Sequence, residues 1–178
     1  MSIDIPLLKL QDAWRECERH IYHLGHALAA IRTFSPLTAE NINLLTDEQV
    51  QDIDQFILRY TKLQDTMGTR LFTSILNYLY EPVDKRPMLD VLHRLEKLGL
   101  IDSSVMWQEV RLVRNSFAHD YAKDPEKNAA QLNIAFASTL DLYNMLNTIR
   151  TWFRNAYPTL ELGKELPDMP GNRSRYDS

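Results

Sequence analysis

The chain is poor in the residues that would support disulfides, cysteine-bound metals or a sheet. Its 178 residues include one cysteine, Cys17, so no intrachain disulfide can form and a zinc site built from cysteine pairs is excluded. Only five glycines are present, and charged residues make up 25% of the chain. Because leucine, glutamine, arginine and glutamate are common helix formers and are plentiful here, we expect an all-α fold.

Long apolar runs are also missing. No stretch approaches the roughly 18 uncharged apolar residues that a membrane span needs. The first residues, MSIDIPLLKL, lack the basic start and apolar core of a signal peptide. We therefore expect a cytoplasmic protein without a membrane partner.

The charge balance and the missing motifs limit the possible functions. A net charge of −4 argues against a general nucleic-acid coat protein, which would show a basic stripe, but it allows an enzyme that touches RNA at a few phosphates. The chain has no phosphate-binding glycine loop and no G-x-S-x-G or Ser-x-x-Lys element. We expect no cofactor, and we do not expect the chain to transfer a nucleotide itself.

Apolar residues recur at helical spacing in five segments. End signals accompany them: a capping box at Thr46-x-x-Gln49, a stop at Gly99, and an N-cap followed by proline at Asp124-Pro125. Four long helices and one short one predict an antiparallel, up-and-down bundle. We place this single domain at residues 1–160 and expect a polar, disordered tail at 161–178. The predicted segments are 7–32, 46–80, 87–99, 103–119 and 124–158.

The run R-N-S-F-A-H-D-Y, residues 114–121, is the most informative motif, and it lies near the end of the fourth segment. Arg111, Asn115 and His119 follow one another at i, i+4 and i+8, in a row that faces away from the apolar stripe. Arg114 lies at the edge of that stripe, about 140° from His119 on an ideal helix. Both can therefore face one phosphate only if the helix ends or distorts near His119, or if a second copy completes the site. We favour a two-fold homodimer.

These residue types are suited to RNA cleavage without a metal. Arginine offers a planar fork of donors to a phosphate, and histidine moves protons near neutral pH. RNA carries its own nucleophile, the 2′-hydroxyl. His119 would handle the proton, Arg114 would stabilise charge on the phosphate, and Asn115 would orient the histidine ring.

The motif R-x-x-x-x-H-x-Y, with the stretches RYTKLQDTMGTRLF (59–72) and LHRLEKLGLI (92–101), resembles the HEPN ribonuclease superfamily. The likeness covers most of residues 46–125 and is greatest to HepT-like toxins, which pair with a small nucleotidyltransferase antitoxin of the MNT kind. It implies a metal-independent endoribonuclease of a type VII toxin–antitoxin system, acting on RNA such as tRNA or mRNA at a homodimer interface.

The resemblance also implies roles for individual residues. Arg114 and His119 would be the catalytic pair, with Asn115 in support. Tyr121 would receive AMP from the antitoxin, which would neutralise the enzyme by volume and by charge. We further expect Arg111 and Asp65 to support the site.

Other interpretations of the motif remain open. The polar row could consist of ordinary surface residues, and the chain could be a helical adaptor without nucleotide chemistry. It could also be a non-enzymatic module that binds substrates for a nucleotidyltransferase or docks onto one, with the polar face as its docking surface.

Two further groups of residues have a functional and a structural interpretation. Glu16, His20, His23 and His26 lie close together in the first segment and could hold a metal. However, the neighbouring Cys17 belongs to the apolar stripe, and His23 and His26 project near the opposite side of the helix. This arrangement favours a solvated helix face. The three tryptophans could stack on bases, although packing explains them better.

Overall fold

The computed structural model describes residues 2–81, 83–118, 124–163 and 166–170. Across these residues the secondary structure is helical and contains no strand, which confirms the all-α prediction. None of the described helices combines the length and the apolar character that a bilayer crossing requires. The elements are α1 (Ile5–Ile31), a 3₁₀ turn (Asn41–Leu44), α2 (Asp47–Thr66), a π-helical turn (Met67–Leu71), α3 (Phe72–Tyr78), α4 (Met88–Lys97), α5 (Ser104–Ser116) and α6 (Pro125–Ala156).

The helix ends follow local signals in the sequence. At the start of α2 the Thr46 hydroxyl accepts the Gln49 amide, and the Gln49 side chain accepts the Thr46 amide, so the predicted capping box is formed. The carboxylate of Asp124 accepts the Lys127 amide at the start of α6. Gly99 follows α4 at a φ of +77°, a left-handed conformation that only glycine adopts at little cost.

The second predicted segment is one continuous helix with an interruption inside it. The π-helical turn carries α2 into α3 without a break in the chain. Its Gly68 is buried against α5, where an added Cβ would lie 3.1 Å from Cζ2 of Trp107. A glycine inside a long helix permits a close contact with a neighbouring helix, and the structure contains that contact here. The π turn itself was not predicted, because the apolar spacing runs through it with little change.

A single cluster of buried side chains connects the helices. α1 packs along α2 and α3, α2 crosses α5, and α5 packs on α6. The largest fully buried side chains include Trp14, Tyr60, Phe56, Phe72 and Phe153. Packing is therefore the correct interpretation of Trp14. Cys17 is buried in the same cluster, and burial raises the pKa of its thiol, which suits a packing role.

The chain beyond residue 160 contributes to this core, contrary to the disordered tail that we expected from 161. Leu162, Leu166 and Met169 are buried. The Met169 sulfur approaches Gly25 of α1, at 3.3 Å from the position of an added Cβ. The prediction failed because three apolar residues scattered among prolines and charges show no periodicity. Residues 164–165 and 171–178 lie outside the described part of the chain.

A buried hydrogen bond joins the helices that carry the candidate site. The hydroxyl of Tyr60, on α2, lies 2.8 Å from Oγ of Ser138, on α6, and 3.5 Å from the carbonyl oxygen of Val110, on α5. Burial raises the pKa of this hydroxyl, so it stays protonated and able to donate.

We predict that Tyr60→Phe lowers the free energy of unfolding by about 1 kcal/mol, because it removes one buried hydrogen bond and leaves the packing unchanged. Urea denaturation provides the measurement. Tyr80→Phe is the matched control, since Tyr80 is 93% exposed, and it should leave stability unchanged. Equal unfolding free energies for the two variants would contradict the structural role of the Tyr60 hydroxyl.

Candidate functional site

A pocket of about 250 Å³ opens where α2 crosses α5. Four of the residues predicted from the sequence line it, namely Asp65 from α2 and Arg111, Arg114 and Asn115 from α5. The structure thus brings the predicted acidic residue of one helix to the predicted basic residues of another. The remaining lining residues are Gln64, Gly68, Thr69, Met88 and Trp107.

Arg114 is held in place from α2. Its Nη2 lies 3.1 Å from Oδ1 and 3.2 Å from Oδ2 of Asp65, and its Nη1 lies 3.5 Å from Oδ1 of Asn115. Both members of the ion pair are partly exposed, so the pair contributes at most about 1 kcal/mol to stability. Its main effect is to fix the direction of the guanidinium group.

The guanidinium of Arg114 is partly exposed at the pocket, so it can contact a ligand while it is paired with Asp65. Its Nε is buried and has no hydrogen-bond partner within the part of the chain that the structure describes. Arg111 is exposed beside it and forms no ion pair with a described residue. Two arginines and one carboxylate therefore give the pocket rim a local positive charge, which suits an anion such as a phosphate group.

The positions of these side chains on α5 follow from the helical projection. Arg111 and Asn115 are exposed, one turn apart, as the polar row predicted. Arg114 is half-buried at the edge of the apolar stripe, also as predicted. They meet at one pocket because α2 crosses α5 on this flank.

The predicted end of α5 was wrong. We expected the helix to continue to about His119, but it ends at Ser116. The amides of Phe117 and Ala118 instead bond to carbonyls three residues back, which is a tighter turn than the α-helix. Phe117 extends the apolar stripe by packing edge-on against Tyr60, at 5.5 Å between ring centroids, so its pattern resembled continued helix.

His119 follows the last residue of α5 by three positions, so the structure contains the helix end that one of the two arrangements considered for the Arg–His pair requires. His119 and Tyr121 themselves lie outside the described residues.

The floor of the pocket was missed by sequence reasoning. Trp107 is 2% exposed and packs edge-on against Phe72, at 4.7 Å between ring centroids. It also touches Gly68, and Met88 joins it from the start of α4. Gly68 was the one signal in the sequence for this close approach, but its partner could not be identified without the arrangement of the helices.

The polar residues of α1 considered as metal ligands have other partners. Within the described part of the chain, no group of three histidine, cysteine or acidic residues is arranged to hold a metal ion. Glu16 accepts a hydrogen bond from Thr66 at 3.0 Å and pairs with Arg70. His23 and His26 pack against the ring of Tyr22.

His20 is the buried member of this group. Its Nδ1 accepts from Nη1 of Arg59 at 3.2 Å, which leaves the proton of the neutral ring on Nε2. Burial, followed by the positive charge of Arg59, lowers the pKa of His20 from 6.5 to about 4. Glu16 lies 3.6 Å from Nε2 and favours the charged ring, but its carboxylate is already engaged by Arg70. Burial and the charge of Arg59 therefore outweigh the effect of Glu16 on the pKa of His20.

Comparisons of the chain with protein-family models, with curated proteins and with solved structures find no match.

We predict that the pKa of His20 makes stability depend on pH. Between pH 6.5 and 4 the unfolded chain binds a proton that the folded chain does not, so the free energy of unfolding falls as the pH falls. The contribution of His20 between about pH 7.5 and 5 is about 2 kcal/mol. Urea denaturation of the wild type and of His20→Gln at both pH values measures it.

The His20→Gln variant should lose about that much less stability than the wild type over this range. His93→Gln, which changes an exposed histidine, should behave as the wild type does. A pH dependence that His20→Gln leaves unaltered would contradict the buried, neutral histidine.

Proposed function

We propose that this chain is a metal-independent endoribonuclease of the HepT-like kind. One observation carries the proposal: Arg114, fixed by Asp65 at a pocket shared with Arg111 and Asn115, lies five residues before His119 in the chain. In fold, we propose the up-and-down HEPN bundle, with α1, the α2–α3 helix, α5 and α6 as its four main helices and α4 as the short one.

The proposed reaction uses the substrate's own nucleophile. The 2′-hydroxyl attacks the adjacent phosphorus, the bond from phosphorus to the 5′ oxygen breaks, and the products are a 2′,3′-cyclic phosphate and a 5′-hydroxyl. A base must take the proton of the 2′-hydroxyl, and an acid must supply one to the leaving oxygen. Histidine side chains can both accept and supply protons near neutral pH, and we assign these transfers to His119.

Arg114 would stabilise the negative charge that builds up on the phosphate oxygens as the reaction proceeds. Donors oriented before the substrate arrives act best, because the site then spends no energy on reorganisation. The ion pair with Asp65 supplies that orientation, and Arg111 adds a second positive charge at the rim. Asp65 is therefore a positioning residue in this account.

A second copy of the chain is part of the proposal. The outward faces of α5 and α6 expose Val105, Leu112, Ile134 and Leu140. Leu112 lies directly beside Arg111 and one turn before Asn115 and Ser116, so this apolar surface continues into the rim of the pocket. An isologous dimer that covered it would bring two Arg114 sites close together.

Tyr121 would be the point of control by a nucleotidyltransferase antitoxin. An AMP group added two residues beyond His119 carries a negative charge and a nucleoside. It would repel the phosphate backbone of RNA and fill the space that the substrate needs. The likeness of the sequence to HepT-like toxins supports this part of the proposal.

We predict that Arg114→Ala and His119→Ala each lower the rate of RNA cleavage at least about 100-fold, because each removes a group that acts on the reacting phosphate. Arg114→Lys should recover part of the activity, since it restores the charge without the planar fork. Cleavage rates on a labelled RNA in EDTA, with circular dichroism to confirm folding, provide the measurement.

The matched control is Arg154→Ala, which removes an exposed arginine in the last turn of α6 and should cleave as the wild type does. Unchanged cleavage by both site variants would exclude this active site. A wild type that cleaves no RNA but forms a stable complex with a nucleotidyltransferase would instead favour the binding module.

A further inference from the structure

We infer that the pocket between α2 and α5 binds the adenine base of a nucleotide whose phosphate lies at Arg114, and that Gln64 recognises that base. The inference rests on the proposed function for the source of the nucleotide. The pocket itself is argued from its own side chains.

Gln64 is the first observation. Its residue is 5% exposed, it lines the pocket, and its side-chain amide forms no hydrogen bond to any described residue. The amide atoms are not closed off from solvent, so the small exposure that Gln64 retains is at the pocket. Its donor and acceptor are therefore placed to bind a ligand with hydrogen-bonding groups.

The floor is the second observation. Trp107 and Met88 supply an apolar surface, and Gly68 lets the Trp107 ring lie directly against the helix that contains Gln64. Binding sites for small organic ligands have this composition, with mostly apolar walls and a few polar groups that set orientation. An apolar floor opposite an amide suits a flat heterocycle with polar edges.

The rim is the third observation. Arg111, Arg114 and Asn115 lie on one side of the same pocket. The pocket therefore combines an apolar interior with a positively charged edge, which matches the base and the phosphate of one nucleotide. A bare phosphate would not use the interior, and an uncharged apolar ligand would not use the rim.

The amide and the floor together favour adenine. A terminal amide presents a donor and an acceptor side by side, and adenine offers the complementary pair on two edges, at N7 and N6 and at N1 and N6, whereas cytosine offers it on one, at N3 and N4. The larger purine also covers more of the apolar floor, so we expect an adenine nucleotide to bind more tightly than a cytosine nucleotide. A leucine has a similar volume but no polar atom, so Gln64→Leu should weaken the binding of both nucleotides and leave the fold intact.

The test uses 3′-AMP and 3′-CMP as probes, titrated into the full chain by calorimetry. The His119→Ala background prevents cleavage from contributing heat. In that background 3′-AMP should bind more tightly than 3′-CMP. Adding Gln64→Leu should weaken both nucleotides about 10-fold, because each loses its hydrogen bonds to the amide. Gln51→Leu, at an exposed position of α2, is the matched control and should change neither affinity.

Thermal unfolding distinguishes a role of Gln64 in ligand binding from a role in the stability of the fold. Because the Gln64 amide has no partner to lose, Gln64→Leu should unfold at the same temperature as its parent or higher. A lower unfolding temperature together with unchanged nucleotide binding would show a structural glutamine and overturn the inference. Equal binding of the two nucleotides to the parent, or no binding of either, would also overturn it.

The nucleotide can come from the RNA substrate or from an adenylate on Tyr121, and RNA cleavage rates separate these sources. Slower cleavage by the Gln64→Leu single variant identifies the RNA. An unchanged cleavage rate, with weakened 3′-AMP binding, identifies the adenylate. If the wild type cleaves no RNA and 3′-AMP still requires Gln64, the nuclease proposal fails and the pocket stands.

Discussion

The close approach of α2 and α5 is the constraint on which the candidate site depends. It is tight at position 68, where an added Cβ would lie 3.1 Å from Cζ2 of Trp107, so a residue larger than glycine would displace that ring. The π turn that contains Gly68 begins two residues after Asp65, so neighbouring residues set both the floor of the pocket and the carboxylate that holds Arg114. A helix pair spaced further apart would leave Arg114 without that support. Interruptions of this kind inside a long helix are frequent at functional sites.

Local signals made much of the fold predictable. The capping box at Thr46 and the stop at Gly99 depend only on neighbouring residues, and the structure follows both. Features set by contacts between distant residues were missed. Phe117 continues the apolar stripe of α5 and so concealed its end at Ser116, while the packing of Met169 against Gly25 has no periodic signal.

The candidate site was likewise predictable only where its residues are close together in the sequence. The spacing of Arg111, Arg114 and Asn115 on one helix predicted their arrangement, because the helical projection fixes which face each residue occupies. Gln64 carried no such signal. In the sequence it is one of several polar residues in an amphipathic helix, and only the approach of α5 turns it into a buried amide without a partner. The net charge of the chain also gave no indication of the local charge. It is −4 overall, but two arginines and one carboxylate line the pocket.

The most direct test of the account is the chemistry of the cut ends. The purified wild type would be incubated with an RNA pool in EDTA, and the product termini would be identified by enzymatic end analysis and mass spectrometry. Attack by the 2′-hydroxyl at an Arg–His site predicts 2′,3′-cyclic phosphates and 5′-hydroxyls, formed without a metal. Products with 3′-hydroxyl and 5′-phosphate ends, or no products from a protein whose Tyr121 is shown to be unmodified, would contradict it.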